Sequence, residues 1–344
     1  MKMSEQPLRV GIIGTGIFAS KRHLPAYQKL PAEYNVVACA NRTISKAELF
    51  AEKANIPSTH VFSYLDELIR CPDVDIVDAL LPVSSNLDTV LKAVEVGKPI
   101  MIEKPLAHDL ADARELVKVC ASTDIPVLVA ENWSYREAIP KMKAAVEKCG
   151  EVVGFEYVQS IPFRPDNPYL GTAWRATPSH VGGFLSDGGV HQMAFLTGVL
   201  GQVERVSAFT RQIKKENGTV DTVKATMQLK SGVIGTYGLD FASAQPGTGY
   251  FRIHGTEGTV EYRFTDFTLS YTSAASPGEP EVVVTGKEED DVKNEFENFA
   301  EAVRTRDKTL LKCTVEDAFH HFAVVCAMVE SGEKNGESVA VPQP

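Results

Sequence analysis

The stretch LRVGIIGTGIFA, residues 8 to 19, decides how this chain is read. Its first half, Leu8 to Gly14, is an apolar run of the kind that forms a buried strand. Gly14-Thr15-Gly16-Ile17-Phe18-Ala19 follows at once and matches the pattern G-x-G-x-x-A. Such a turn uses glycine twice, once to reverse tightly and once to let the backbone approach a pyrophosphate at a helix N-terminus. Alone the pattern is weak. Here it sits between a strand and a segment, Ile17 to Leu30, that reads as the start of a helix despite Pro25, and that context marks a dinucleotide site.

Working outward, the pattern of the first strand repeats. NVVACAN (35–41), VDIVDALLP (74–82), KPIMIEKP (98–105) and PVLVAEN (126–132) read as further apolar strands. Between them lie the helical segments TISKAELFAEKAN, NLDTVLKAVEVG and DLADARELVKVCAST, the second ended by Gly97. Repeated βα units of this kind predict a doubly wound parallel sheet covered on both faces. After residue 150 the pattern changes to VVGFEYVQS, VERVSAFTRQ, DTVKATMQLK and GVIGTYGLDFA, with turns at KSG (230–232) and GTEG (255–258). That predicts a largely antiparallel open sheet. Helices return at 294–307 and 314–332, and TSAASPGEPE (272–281) reads as a surface loop. The expected fold is therefore α/β, an N-terminal Rossmann domain over residues 1–131 and a second α/β domain over 132–344.

Composition agrees with two ordinary globular domains. The chain has 344 residues, 44% hydrophobic and 23% charged. A net charge of -10 argues against nucleic acid and anionic membrane surfaces as partners and points to small molecules. The six cysteines are scattered without a CxxC spacing, so neither zinc nor a disulfide framework is expected. No apolar stretch approaches a membrane span, MKMSEQPLRV does not read as a signal peptide, and a cytoplasmic setting is expected.

Cofactor choice is read at the end of the second strand. A carboxylate there would hold the ribose 2′-OH of NAD. The chain has Asn41-Arg42-Thr43 instead, with Ser45 and Lys46 close behind. Removing the acid removes repulsion against a 2′-phosphate, and Arg42 is able to pair with it, so NADP is the expected cofactor.

The combination of GTGIFA, EKP (103–105), Trp174-Arg175 and GGFLSDGGVH (182–191) resembles the Gfo/Idh/MocA family, named for glucose–fructose oxidoreductase, inositol dehydrogenase and rhizopine catabolism. The resemblance covers the whole chain and its wording is most similar to fungal, cytosolic, NADP-dependent members. It implies hydride transfer between nicotinamide and a sugar or polyol hydroxyl, with D-glucose oxidation at C1 to the lactone, a ketose or carbonyl as acceptor, as a first assay. It also implies a homodimer or homotetramer formed through the C-terminal sheet. Lys104, Asp187 and His191 match the family's catalytic positions. Glu103 is implied near the nicotinamide. The cofactor set is completed by Gly14, Thr15, Gly16, Ile17, Phe18, Asn41, Arg42, Lys46, Leu81, Pro82, Lys104, Asn132, Trp174 and Arg175, and the substrate set by Lys104, Tyr135, Trp174, Asp187 and His191.

Hydride chemistry explains these residue types. Oxidising a carbinol releases a hydride and a proton, and a histidine with an ordinary pKa near about 6.5 suits the proton. A lysine ammonium stabilises a developing alkoxide, or takes the proton when desolvated. Asp187, one helical turn before His191, is placed to bind a hydroxyl or orient the base. No metal is expected. Ala194 and the segment LLPVSSN (80–86), with Val83 and Asn86, depart from the family's usual wording, which puts the substrate in question more than the cofactor. Packing roles weigh about equally for Asn132, Trp133, Tyr135 and Arg136, and more heavily for His23, His180 and the adjacent His320 and His321. Two other readings stay open: a general NADPH-dependent aldehyde or ketone reductase, and a non-catalytic NADP-binding sensor similar to galactose-pathway repressors.

Overall fold

Strand β1 (Leu8–Ile13) pairs in parallel with β2 (Tyr34–Ala40) on one side and β4 (Ile76–Ala79) on the other, with Val10 opposite both Val36 and Ile76. The computed structural model describes residues 6–166, 180–244, 247–284 and 290–344. With β3 (Val61–Phe62), β5 (Ile100–Glu103) and β6 (Val127–Ala130) the first sheet is parallel throughout, in the order β3-β2-β1-β4-β5-β6. Val10, Ile12, Ile76, Val77, Ile100 and Leu128 are fully buried, as strands covered on both faces require. Strand order reverses between β1 and β4. In open α/β sheets ligands bind outside the carboxyl ends of the strands at such a point, and the glycine turn begins there.

The chain divides into two compact units. The first holds residues 1–135, 290–319 and 344, the second 136–289 and 320–343. The division differs from the one expected from sequence order, which gave the second domain everything from 132 onward. The reason is helix Asp291–Thr305, whose buried Phe296 lies against Tyr27 and Tyr34 of the first unit, 4.5 and 6.2 Å between ring centroids. The Tyr34 hydroxyl donates to the Phe296 carbonyl at 2.6 Å.

Among the described residues of the second unit nine strands form one sheet. They are β7 (Val152–Pro162), β8 (Val203–Arg211), β9 (Thr222–Leu229), β10 (Ile234–Ser243), β11 (Thr248–Gly255), β12 (Gly258–Arg263), β13 (Thr268–Ser273), β14 (Glu281–Val284) and β15 (Val339–Ala340). Their order is β14-β13-β12-β11-β7-β10-β9-β8-β15. The turns at 230–232 and 255–258 join β9 to β10 and β11 to β12, both antiparallel as expected. The parallel pair β7 and β10 is the exception, because the helix Phe184–Leu200 intervenes and the chain returns through the β8-β9-β10 meander. That helix buries Leu185, Met193, Phe195 and Leu196, and Phe195 meets Phe251 and Tyr262 from the sheet. Among the described residues no helix is long and apolar enough to cross a membrane.

Candidate functional site

Gly14 has a φ of +88°, and a Cβ on it would stand 2.3 Å from the Leu80 carbonyl oxygen at the end of β4. Only glycine fits, since both backbone conformation and space exclude a side chain. Gly16 is the opposite case: a Cβ there would meet nothing within 4 Å. The turn is therefore tight on the sheet side and open on the outer side, which is the cradle a pyrophosphate needs. Ile17 and Pro82 are exposed, Phe18 and Leu81 half-buried, and Leu81 lies 3.4 Å from where a Cβ on Gly14 would stand.

At the end of β2, Asn41 takes the place of the ribose-binding acid. Its Nδ2 donates to Thr15 Oγ1 at 2.9 Å, and its Oδ1 accepts from the Thr43 amide at 2.9 Å. Asn41 thus ties the glycine turn to the start of the helix Ile44–Ala54. Arg42 and Lys46 stand exposed on the same short stretch. These residues fit a nicotinamide dinucleotide.

Lys104 follows β5 directly and is half-buried. The peptide bond between it and Pro105 is cis. The turn is held by Asn86, which is 1% exposed and whose Nδ2 lies 2.9 Å from the Glu103 carbonyl, 3.2 Å from that of Pro105 and 3.1 Å from that of Leu106. The departure noted in LLPVSSN is thereby explained in part: Asn86 serves the backbone beneath Lys104. Sequence reasoning missed this role. It read His23 as packing and missed its charged partners: the ring is buried between Asp78 and Glu103. The available signal was Asp78 itself, a charge inside the apolar run VDIVDALLP.

In the second unit, Gly182 and Gly183 adopt φ values of +75° and +47° and lead into the helix Phe184–Leu200. Asp187 lies in the first turn of that helix and is 8% exposed; His191, one turn on, is half-buried. Helical spacing puts the two on one face. The second glycine pair acts differently from the first. Gly188 lies inside the helix, and a Cβ on it would strike the Phe241 ring at 2.5 Å, so it serves close packing of helix on sheet. His180 Nε2 donates to the Gly183 carbonyl at 2.9 Å and stabilises the turn.

Other expected residues fall elsewhere. Tyr135 is 2% exposed and its hydroxyl accepts from the Cys313 amide at 3.4 Å, which places it in the packing of the first unit. Asn132 and Trp133 are half-buried, and Arg136 is buried. Trp174 and Arg175 lie outside the described residues. His320 and His321 pack within the second unit, accepting from the Val203 amide and meeting the Thr197 hydroxyl, each at 3.0 Å.

A parallel sheet reversing at β1 and β4, a glycine turn closed on one side and open on the other, and a lysine at the end of β5 define a dinucleotide-dependent oxidoreductase. Two family descriptions cover nearly the whole chain: an oxidoreductase family NAD-binding Rossmann fold over residues 8–131, and the same family's C-terminal alpha/beta domain over 143–341. The protein belongs to the Gfo/Idh/MocA oxidoreductase family. It is 45% identical to an uncharacterized protein of Saccharomyces cerevisiae, across 98% of this chain and 99% of the other. It is 30% identical to a mouse trans-1,2-dihydrobenzene-1,2-diol dehydrogenase, across 74% of each. A Thermotoga maritima oxidoreductase of known structure superimposes with a TM-score of 0.88 at 31% identity, over 98% of this chain and 99% of that one.

Proposed function

We propose that the protein transfers hydride between NADP(H) and a hydroxyl-bearing carbon of a small sugar, polyol or cyclic diol. The observation that carries the cofactor half is Asn41: fixed by Thr15 and Thr43, it leaves no carboxylate at the end of β2, while Arg42 and Lys46 stand exposed beside it. A 2′-phosphate there meets cations and no repelling acid. For the substrate half, the mouse relative is named for a dehydrogenase of a vicinal diol.

When bound, the nicotinamide exchanges the hydride. The protein's part is the proton and the charge. His191 is the proposed proton acceptor, Asp187 its neighbour one helical turn earlier, and Lys104 the cation that stabilises alkoxide character on the reacting oxygen. Oxidation of D-glucose at C1 is one member of this reaction class. Self-association through the second sheet belongs to the same reading, since Phe209 and Ile234 on β8 and β10 are 66% and 57% exposed.

The test is a set of initial rates with NADP+ and NAD+ across aldoses, polyols and cyclic diols, followed by nicotinamide absorbance. kcat/KM with NADP+ is expected to exceed that with NAD+ by at least about tenfold, about 1.4 kcal/mol. Equal or better use of NAD+ overturns the cofactor assignment. Full turnover by both Lys104→Ala and His191→Ala overturns the catalytic one. Tight NADP binding with no turnover on any substrate favours a sensor.

A further inference from the structure

His23 is 1% exposed, and both of its ring nitrogens face carboxylates: Nδ1 is 2.8 Å from Asp78 Oδ2, and Nε2 is 3.1 Å from Glu103 Oε1. A neutral imidazole has a single N–H donor. It would satisfy one of these oxygens and set a ring lone pair against the other. The contacts close only with an extra proton in the cluster, on the ring or on a carboxyl group. Asp78 Oδ2 already accepts from the Tyr27 hydroxyl at 3.0 Å, and the Glu103 side chain is 16% exposed. Both circumstances favour carboxylates, so the proton belongs to the ring.

The chain brings His23 inward by a specific local device. Residues Ala19–His23 form a π-helical turn, closed by the Leu24 amide on the Ala19 carbonyl, immediately after the glycine fingerprint. Lys21 and Arg22 remain exposed while His23 is buried. The rings of Phe18 and Phe296 stand edge-on to it at 5.3 and 5.1 Å, excluding water.

Other ionisable groups surround this core. Helix Asp291–Thr305 supplies Glu295, which is 1% exposed and whose Oε1 has no hydrogen-bond partner among the described residues. It also supplies Asp291, which Arg22 approaches at 4.0 Å. Burial, with Glu103 next, holds the Glu295 carboxyl well above the usual carboxylate range; His23 opposes this, and Glu131 and Asp291 add to it. Burial pushes the His23 imidazole down, but Asp78 and Glu103 outweigh it and raise its pKa to about 10.

We propose that His23 is a positioning residue for the hydride-transfer site: protonated on both ring nitrogens, it pins the Glu103 carboxylate at the end of β5 and fixes the charge presented to an oxidised or reduced nicotinamide. This rests on the reading of the protein as a nicotinamide-dependent oxidoreductase. Glu103 closes a strand next to the reversal point, where ligands of such sheets bind. An oxidised nicotinamide ring is cationic and a reduced one neutral, so a carboxylate at that edge favours the oxidised form. Without the imidazolium, Asp78 and Glu103 are like charges with no cation between them. Glu103 is then no longer held at the end of β5, and nothing offsets its charge.

Two measurements test this. Nitrogen NMR of the histidine rings in cofactor-free protein at about pH 7.5 is expected to show one ring doubly protonated, a full pH unit above the ordinary range. That signal is expected to vanish in His23→Gln. A neutral His23 overturns the proposal, whatever the protein turns over. In the second, NADP+ and NADPH affinities are titrated from about pH 6 to about pH 9, and the wild-type ratio stays within about twofold. In His23→Gln the ratio shifts about tenfold toward the oxidised form, a change of about 1.4 kcal/mol, because no cation offsets the Glu103 carboxylate. An unchanged ratio in a His23→Gln protein with wild-type circular dichroism overturns the proposal. Glu103→Gln keeps the question open to measurement should His23→Gln fail to fold: NADP+ affinity falls about tenfold while NADPH affinity holds. Equal loss of both overturns the proposal. Failure of the functional reading looks different, because neither cofactor then binds while the NMR result stands; that outcome overturns the cofactor half of this proposal with it.

Discussion

Two histidines, one in each unit, are buried almost equally, His23 at 1% and His320 at 5% exposure, yet they are held in opposite protonation states. His320 accepts the Val203 amide on Nε2 at 3.0 Å, which fixes it as the neutral tautomer with its proton on Nδ1. Burial, reinforced by His321 and Lys230, pushes it down to about 3. Burial acts on His23 in the same direction and loses, because two carboxylates face the ring and raise it to about 10. What lies opposite the ring nitrogens decides the charge, and burial sets only how much that choice matters. The neutral histidine closes a packing contact between a helix and the edge of β8. The charged one stands under the carboxyl end of the first sheet, where the cofactor chemistry is expected.

The largest expected effect comes from deleting each ring. His23→Leu strands Asp78 and Glu103 without their cation, and breaking a buried ionic set in this way costs about 3–5 kcal/mol. His320→Leu strands one backbone N–H, that of Val203, at about 1–3 kcal/mol. Denaturation midpoints measured on both variants are expected to rank them in that order, with the His23 variant losing cofactor binding as well. Equal destabilisation would break the comparison, since both histidines would then act by shape alone.

A gentler comparison uses pH. The folded pKa of His23 is raised, so its contribution is complete below the unfolded value near about 6.5 and is lost as pH climbs toward 10. The folded pKa of His320 is lowered. Below about 6.5 the unfolded chain takes up a proton that the native state refuses until about 3, so stability falls as pH falls through that window. Each limb has a slope of at most about 1.4 kcal/mol per pH unit. Thermal midpoints should therefore drop on both sides of neutrality. His320→Gln is expected to flatten the acid limb only, and His23→Gln the alkaline limb only. Flattening of the same limb by both substitutions would contradict the opposite charges.

How much of this was readable beforehand divides along the range of the interactions. The glycine fingerprint, the five long apolar strands of the first unit and the hairpins at 230–232 and 255–258 are local patterns, and each forms where the sequence predicts. β3 is only two residues, Val61–Phe62, too short for any periodicity to show. β14 falls at the end of a stretch read as a loop, because Glu281–Val284 pairs with β13 without an alternating pattern of its own. Helix Asp291–Thr305 is legible as a helix, but its membership of the first unit depends on Phe296 meeting Tyr27, some 270 positions away in order-of-magnitude terms, which no local pattern encodes. The His23 cluster is hidden for the same reason, its partners lying 55 and 80 positions further along the chain. Lys104, Asp187 and His191 were legible as residues in a known wording. The hold that Asn86 exerts on the turn beneath Lys104 was not.

The smallest expected effect on stability is the most informative about why the charge is kept. If His23 and Asp78 are neutralised together, as His23→Gln with Asp78→Asn, the fold no longer contains an unmatched buried ion at that pair. Glu103, the remaining carboxylate, is 16% exposed and can draw on solvent. Buried ionic sets replaced by neutral groups of similar volume commonly lose little stability, so the double variant is expected within about 1 kcal/mol of wild type. Its denaturation midpoint should recover most of what His23→Leu loses. Its discrimination between oxidised and reduced cofactor should not recover, because Glu103 is no longer held by a cation. Recovery of stability without recovery of discrimination would separate the two tasks, placing the charge of His23 in the service of the site and leaving packing to Phe18 and Phe296. A double variant as unstable as His23→Leu would reverse that assignment and make the imidazolium a structural device like His320.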